Sequence, residues 1–103
     1  MAENRNEAAQ YYAKAVQNLK TSKQNTRFFP AAEYDQAVHD TYYYLALSNQ
    51  KLYMITNRAS TLNDANLAWR DYFDFFPRAL ENDPVFREHR ETARKFWDQI
   101  KNK

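Results

Sequence analysis

Apolar side chains recur at intervals of three and four residues in four separate stretches of the chain, the repeat of a helix with one buried face. Ala8, Tyr12, Ala15, Val16 and Leu19 predict a first helix over 6–20. A polar run over 21–26 interrupts that face, and Phe28-Phe29-Pro30 closes it, because proline disfavours helix in the residue before it. Tyr34, Val38, Thr41, Tyr42, Leu45, Asn49 and Leu52 predict a second helix over 31–54, with Asn57 placed to stop it. A third follows over 61–76 on Leu62, Ala65, Trp69, Tyr72, Phe73 and Phe76; Ser60 or Thr61 can cap it, Asp64 standing where a capping box needs its acid. Asn82-Asp83-Pro84 is a cap followed by proline at the first helical position. It opens a fourth helix over 84–101, striped by Val85, Phe86, Ala93, Phe96, Trp97 and Ile100. The expected fold is all-α, four antiparallel helices in one domain over 1–103.

Composition narrows the chemistry. A chain of 103 residues suffices for one modest core. Glycine is absent, so left-handed turns fall to residues such as Asn, and glycine-loop nucleotide sites of the P-loop or Rossmann kind are excluded. Cysteine is absent too, which removes disulfides, cysteine-ligated metals and thiol nucleophiles. No apolar run approaches a membrane span. The first residues lack the apolar stretch of a signal peptide, which leaves open a cytoplasmic protein or a bacterial envelope protein with its leader removed. A net charge of +2 falls short of the excess that marks a nucleic-acid binder.

One internal echo is present: Phe28-Phe29-Pro30-Ala31-Ala32-Glu33 and Phe75-Phe76-Pro77-Arg78-Ala79-Leu80-Glu81, each between two helices. Tyr42, Leu45 and Ala46, followed by Ala65, Trp69, Tyr72 and Pro77, resemble a tetratricopeptide repeat, with bulky, Leu and small positions on its first helix and Ala, aromatic and Pro on its second. The Phe-Phe-Pro closures look most like the envelope-associated bacterial members that serve as assembly scaffolds. Asn49 departs from the pattern where an aromatic is usual, and no glycine closes the turn between the two helices. The resemblance implies a stack of helical hairpins that binds a peptide or helix of another protein in a groove. On that reading Asp40, Tyr43, Leu47, Gln50 and Lys51 flank the packing residues and line the partner-binding face, Tyr43 as an exposed tyrosine. Tyr43 and Leu47 stand where the chaperone-tail binders of the family carry a polar clamp, so an aromatic and apolar groove is implied instead.

Catalytic, cofactor and metal residues are not assigned. His39 and His89 are far apart in sequence and read as surface residues; Asp35 and His39 share a helix face but make no metal motif. Arg87, Arg90, Arg94 and Lys101 alternate with Glu88, Glu91 and Asp98, which reads as a salt-bridged, solvated face rather than a nucleic-acid strip. Phe86, Phe96, Trp97 and Ile100 give the last helix a broad apolar face; a terminal helix either caps the stack or pairs outside it, and pairing with a second copy of the chain or docking on a larger partner is expected. The expected function is a protein-interaction or scaffold module; a self-associating four-helix bundle and a weak nucleic-acid-binding domain are the alternatives.

Overall fold

Four helices form where the stripes place them: α1 (Ala2–Gln24), α2 (Tyr34–Thr56), α3 (Ala59–Asp74) and α4 (Pro84–Asp98). No strand occurs among the described residues. The computed structural model describes residues 2–103, with side chains from Asn4 onward; Met1, on which the leader argument partly rests, lies outside them.

Helix ends follow local chemistry. Asn57 is the only non-glycine residue with positive φ among those described, at 54°, and its N–H donates back to the Tyr53 carbonyl at 2.7 Å. In a chain without glycine an asparagine thus makes the left-handed closure of α2. Asp83 caps α4, its carboxylate accepting from the Val85 N–H at 2.9 Å, with Pro84 next in the first turn. The capping box expected at Thr61 and Asp64 does not form. Helix α3 starts two residues earlier, at Ala59, and the Thr61 hydroxyl donates to the Arg58 carbonyl instead. Helix α4 ends at Asp98 rather than 101, in a turn that buries Ile100.

From the proline onward the two Phe-Phe-Pro segments adopt one conformation; before it the first copy has a short 3-10 turn, Thr26–Phe28, where in the second Phe75 directly follows α3. Each helix ends short of its proline, the proline is extended (ψ 136° at Pro30, 129° at Pro77), and a 3-10 turn follows, Ala31–Glu33 or Arg78–Leu80. The turn is closed by a bond to the proline carbonyl, from Glu33 N–H at 3.1 Å and from Leu80 N–H at 3.0 Å. In both copies the first phenylalanine is exposed and the second is at least partly covered.

Helix α2 lies between α1 and α3. At one end Arg5 donates to the Ile55 carbonyl at 2.7 Å, and at the other Lys23 stands over the Tyr42 ring, so α1 runs opposite to α2. The two-residue turn after α2 reverses the chain into α3. Helix α4 then lies across the α2–α3 pair and runs with α2: Phe86 meets His39, His89 meets Tyr43 and the Phe96 carbonyl meets Gln50.

This placement corrects the expectation for the last helix. Phe86, Phe96 and Trp97 pack on the chain's own core; Phe96 stacks on Trp69, Trp97 stacks on Phe73, and Trp97 Nε1 donates to Asn66 at 2.9 Å. Much of the apolar face is taken up within one molecule by α2 and α3, with Ile100 buried and Phe86, Phe96 and Trp97 partly so. The expected salt-bridged face also differs. Arg90 and Arg94 lie over the rings of Phe76 and Phe73, and the one ion pair found in this region is Lys101–Asp98 at 2.8 Å. The Phe73 and Phe76 rings are within reach of the guanidinium groups and attract them.

Asn57→Gly is expected to raise stability in urea denaturation by up to about 1 kcal/mol, because glycine takes the left-handed conformation without a Cβ clash, whereas Asn57→Val is expected to lower it by about 1 kcal/mol or more. Trp97→Asp, placing a charge in the α3–α4 contact, is expected to unfold the domain rather than leave a folded monomer, as read by loss of the cooperative melting transition.

Candidate functional site

The two sides of α2 differ. One is closed by α4, the other opens as a groove between α1 and α3.

On the closed side the largest polar groups of the core form two linked arrangements. Gln50, fully buried on α2, accepts from Trp69 Nε1 of α3 at 2.7 Å. Its own amide nitrogen donates to the Phe96 carbonyl of α4 at 2.9 Å and to Gln99 Oε1 at 3.2 Å. The Phe96 carbonyl in the last turn of α4 also accepts from the Gln99 N–H at 3.2 Å, so Gln50 fills its second acceptor site and ties the end of α4 to α2. His39, only 1% exposed, makes the second arrangement. Its Nδ1 meets the Asp40 carboxylate at 2.9 Å, and its Nε2 meets the Tyr72 hydroxyl at 2.8 Å. With Nδ1–H donating to the carboxylate, Nε2 is the acceptor and the Tyr72 phenol the donor. Tyr43, Tyr72, Phe76, Phe86 and His89 surround the ring, with centroids between 4.8 and 5.7 Å away. Burial pushes the His39 pKa below its ordinary value, against the Asp40 bond and charge, which pull it up; the neighbouring His89 adds to the lowering. Burial, with the neighbouring Tyr43, pushes the Tyr72 phenol well above 10, so it remains a donor. The Asp–His–Tyr chain resembles a catalytic relay in composition, but His39 and Tyr72 are both sealed in the core and no reacting atom can reach them. It links α2 to α3 structurally.

The residues expected to form a partner-binding face are on this side, and they do not make an open strip. Tyr43 is 7% exposed and Gln50 is fully buried. Leu47 packs against the core, and Lys51 holds its ammonium 5.6 Å from the Phe96 ring. Asp40 alone is exposed, and it is bonded to His39. The exposed tyrosine of the triplet is Tyr44, at 45%, not Tyr43. The reason is α4: lying alongside α2, it occupies the face that the repeat pattern leaves free. The surface reading of His39 and His89 is corrected for the same reason. Their rings are 5.5 Å apart in the α2–α4 contact, His89 being partly buried.

The open side is a groove of about 430 Å³. Tyr42, Leu45 and Asn49 of α2 form its floor; Lys20 and Lys23 of α1 line one wall and Asp64, Leu67, Ala68 and Asp71 of α3 the other, and since Leu45, Asn49 and Ala68 are buried, the apolar side chains it presents are Tyr42 and Leu67. Leu67, at 40% exposure, presents an apolar side chain to the opening. Lys23 donates to Asp71 across the groove at 2.8 Å and ties the walls together at the Tyr42 end. Sequence reasoning gave Tyr42 and Leu45 to packing and missed the groove. The signal was available: Leu67 falls off the buried stripe of α3, and Asn49 is polar where the repeat pattern has an aromatic, which leaves room.

No family model, curated protein or solved structure matches this chain.

Gln50→Leu keeps side-chain bulk but leaves Trp69 Nε1 buried without an acceptor, so it is expected to cost about 1–3 kcal/mol; adding Trp69→Phe removes the orphaned donor, and the double variant is expected to lose less than the sum of the single ones. Unfolding curves of the four proteins measure the coupling. His39 gives a pH dependence: its folded pKa lies below the unfolded value of 6.5, so the unfolded chain binds more protons on acidification. Stability is therefore expected to be full above pH 6.5, to fall as the pH drops below that value, and to level off below the folded pKa. In His39→Gln that part of the pH dependence is expected to be absent from urea midpoints measured between neutral and mildly acid pH.

Proposed function

We propose that this chain is a non-catalytic protein-interaction module of tetratricopeptide-like build, which receives a helical segment of another protein in the groove between α1 and α3. The observation that carries the reading is the groove itself, with Tyr42 at its floor, charged residues on both walls and an exposed leucine at its edge. Helix-in-groove recognition needs those features, since apolar anchors at helical spacing give affinity and polar flanks give selectivity. The α2–α3 pair already holds one amphipathic helix, α4, through aromatic packing and the Gln50 amide, so its surfaces suit such a ligand.

Two further observations support the likeness to the repeat family. Ala46 and Ala65 are fully buried, which fits small residues that let paired helices approach, and Trp69, also fully buried, fills the space beside them. The binding face differs from the one the family resemblance implies, because α4 covers that face. An assembly-scaffold role follows from the same resemblance and has the same groove as its means.

A synthetic amphipathic helical peptide with a leucine stripe tests the reading. In amide NMR spectra its addition is expected to shift resonances around Tyr42, Leu45, Asn49, Leu67 and Ala68. Leu67→Asp is expected to weaken binding about tenfold or more by placing a charge at the apolar edge, while Val85→Asp, exposed on α4, leaves it unchanged. Shifts confined to other surfaces, or equal binding by both variants, would remove the groove from consideration.

A further inference from the structure

The walls of the groove carry opposite charge. Helix α1 brings Lys20 and Lys23, and helix α3 brings Asp64 and Asp71. Lys23 and Asp71 satisfy each other at 2.8 Å. Lys20 and Asp64 do not: neither has an ion-pair partner within 4.0 Å among the described residues. Beyond the Lys23–Asp71 tie, the groove therefore offers an unpaired ammonium from one wall and an unpaired carboxylate from the other.

A helix laid along the groove meets Tyr42 and Leu67 with its apolar face, Leu45 and Ala68 being buried beneath, and shows one flank to each wall. Lys20 attracts an acidic flank and Asp64 a basic one. A helix with both flanks acidic sets like charges against Asp64, and one with both flanks basic sets them against Lys20. Turning a helix end for end exchanges its flanks without lifting its apolar face from the floor. The wall charges consequently discriminate between the two directions in which the same helix can lie. We infer that the groove selects an amphipathic helix of a partner protein with acidic residues along one flank and basic residues along the other, and that Lys20 and Asp64 fix the direction in which it binds. This rests on the groove reading above and adds the charge pattern and polarity of its ligand.

Four peptides sharing one leucine stripe test it, with flanks Glu/Lys, Lys/Glu, Glu/Glu and Lys/Lys, each carrying a nitroxide at its N-terminus. At low salt the two mixed peptides are expected to bind about fivefold more tightly than the uniform ones, the range expected of exposed ion pairs, with the difference lost at high salt. Paramagnetic broadening is expected near Tyr42 and Asp71 with one mixed peptide and near Asn49 and Asp64 with the other. The double variant Lys20→Glu with Asp64→Lys is expected to exchange these two patterns. Binding without preference for flank or direction would overturn the inference and leave the groove reading standing; failure of all four peptides to bind would overturn both. Analytical ultracentrifugation closes the remaining route: a dimer of the unmutated chain that Leu67→Asp dissolves would assign the groove to a second copy and overturn the inference.

Discussion

A buried amide has four hydrogen-bonding sites to satisfy and little water to help, so it is tolerated in a core only where the surrounding backbone is fixed around it. Gln50 meets that condition by joining three helices: the Trp69 indole of α3 donates to it, and it donates to the end of α4. The other cross-contacts of α4 depend on this register. In the register where the Phe96 carbonyl reaches Gln50, Phe96 stacks on Trp69 and Trp97 falls beside Phe73 and within reach of Asn66. Hydrophobic burial supplies most of the attraction between these helices, but it is nondirectional, and the amide decides where along α2 the last helix comes to rest.

Helix α2 is sandwiched, and its sequence shows how a central helix can serve three neighbours. Successive residues turn by 100 degrees, so the tyrosine triplet is divided: Tyr42 toward the groove and α1, Tyr43 into the α3–α4 contact, Tyr44 to solvent. Most polar residues that α2 sends into the interior have a partner. His39 has Asp40 and Tyr72, Thr41 bonds back to the Ala37 carbonyl, and Asn49 to that of Leu45. Aromatic side chains fill the remaining space, and the rings around His39 meet mostly edge to face, the arrangement their quadrupoles favour.

Helix positions were legible because stripe, stop and cap agree in this chain. Asn57 and Asp83-Pro84 are where local chemistry needs them, and the Phe-Phe-Pro echo corresponds to a repeated junction. Partner choice among the helices was not legible. Periodicity identifies an apolar face but not what covers it, so Tyr43 read as exposed and the Phe96–Trp97 face as free, when His89 of α4 meets the first and Trp69 and Phe73 of α3 meet the second. His39 failed for a related reason: a histidine amid charged neighbours in sequence reads as solvated, and the tyrosine that completes its bonding is 33 residues away. The groove fell between two helices that do not follow one another in the chain, where a stripe carries no information.

The order in which contacts can form follows from the Gln50 bond. Helices α1, α2 and α3 each pack against a neighbour in the chain, and the turn joining α2 to α3 is two residues long, so these associations close short loops and cost little chain entropy. Joining Gln50 to Phe96 closes a loop of 46 residues. Helix α4 joins its chain neighbour α3 at similar cost, through Arg90 over Phe76 and Trp97 on Phe73, so the part left to longer loops is the seating of α4 against α2. Without that seating Tyr43 and the amide of Gln50 lack their α4 partners, and a chain in that condition is open to association with the wrong surface.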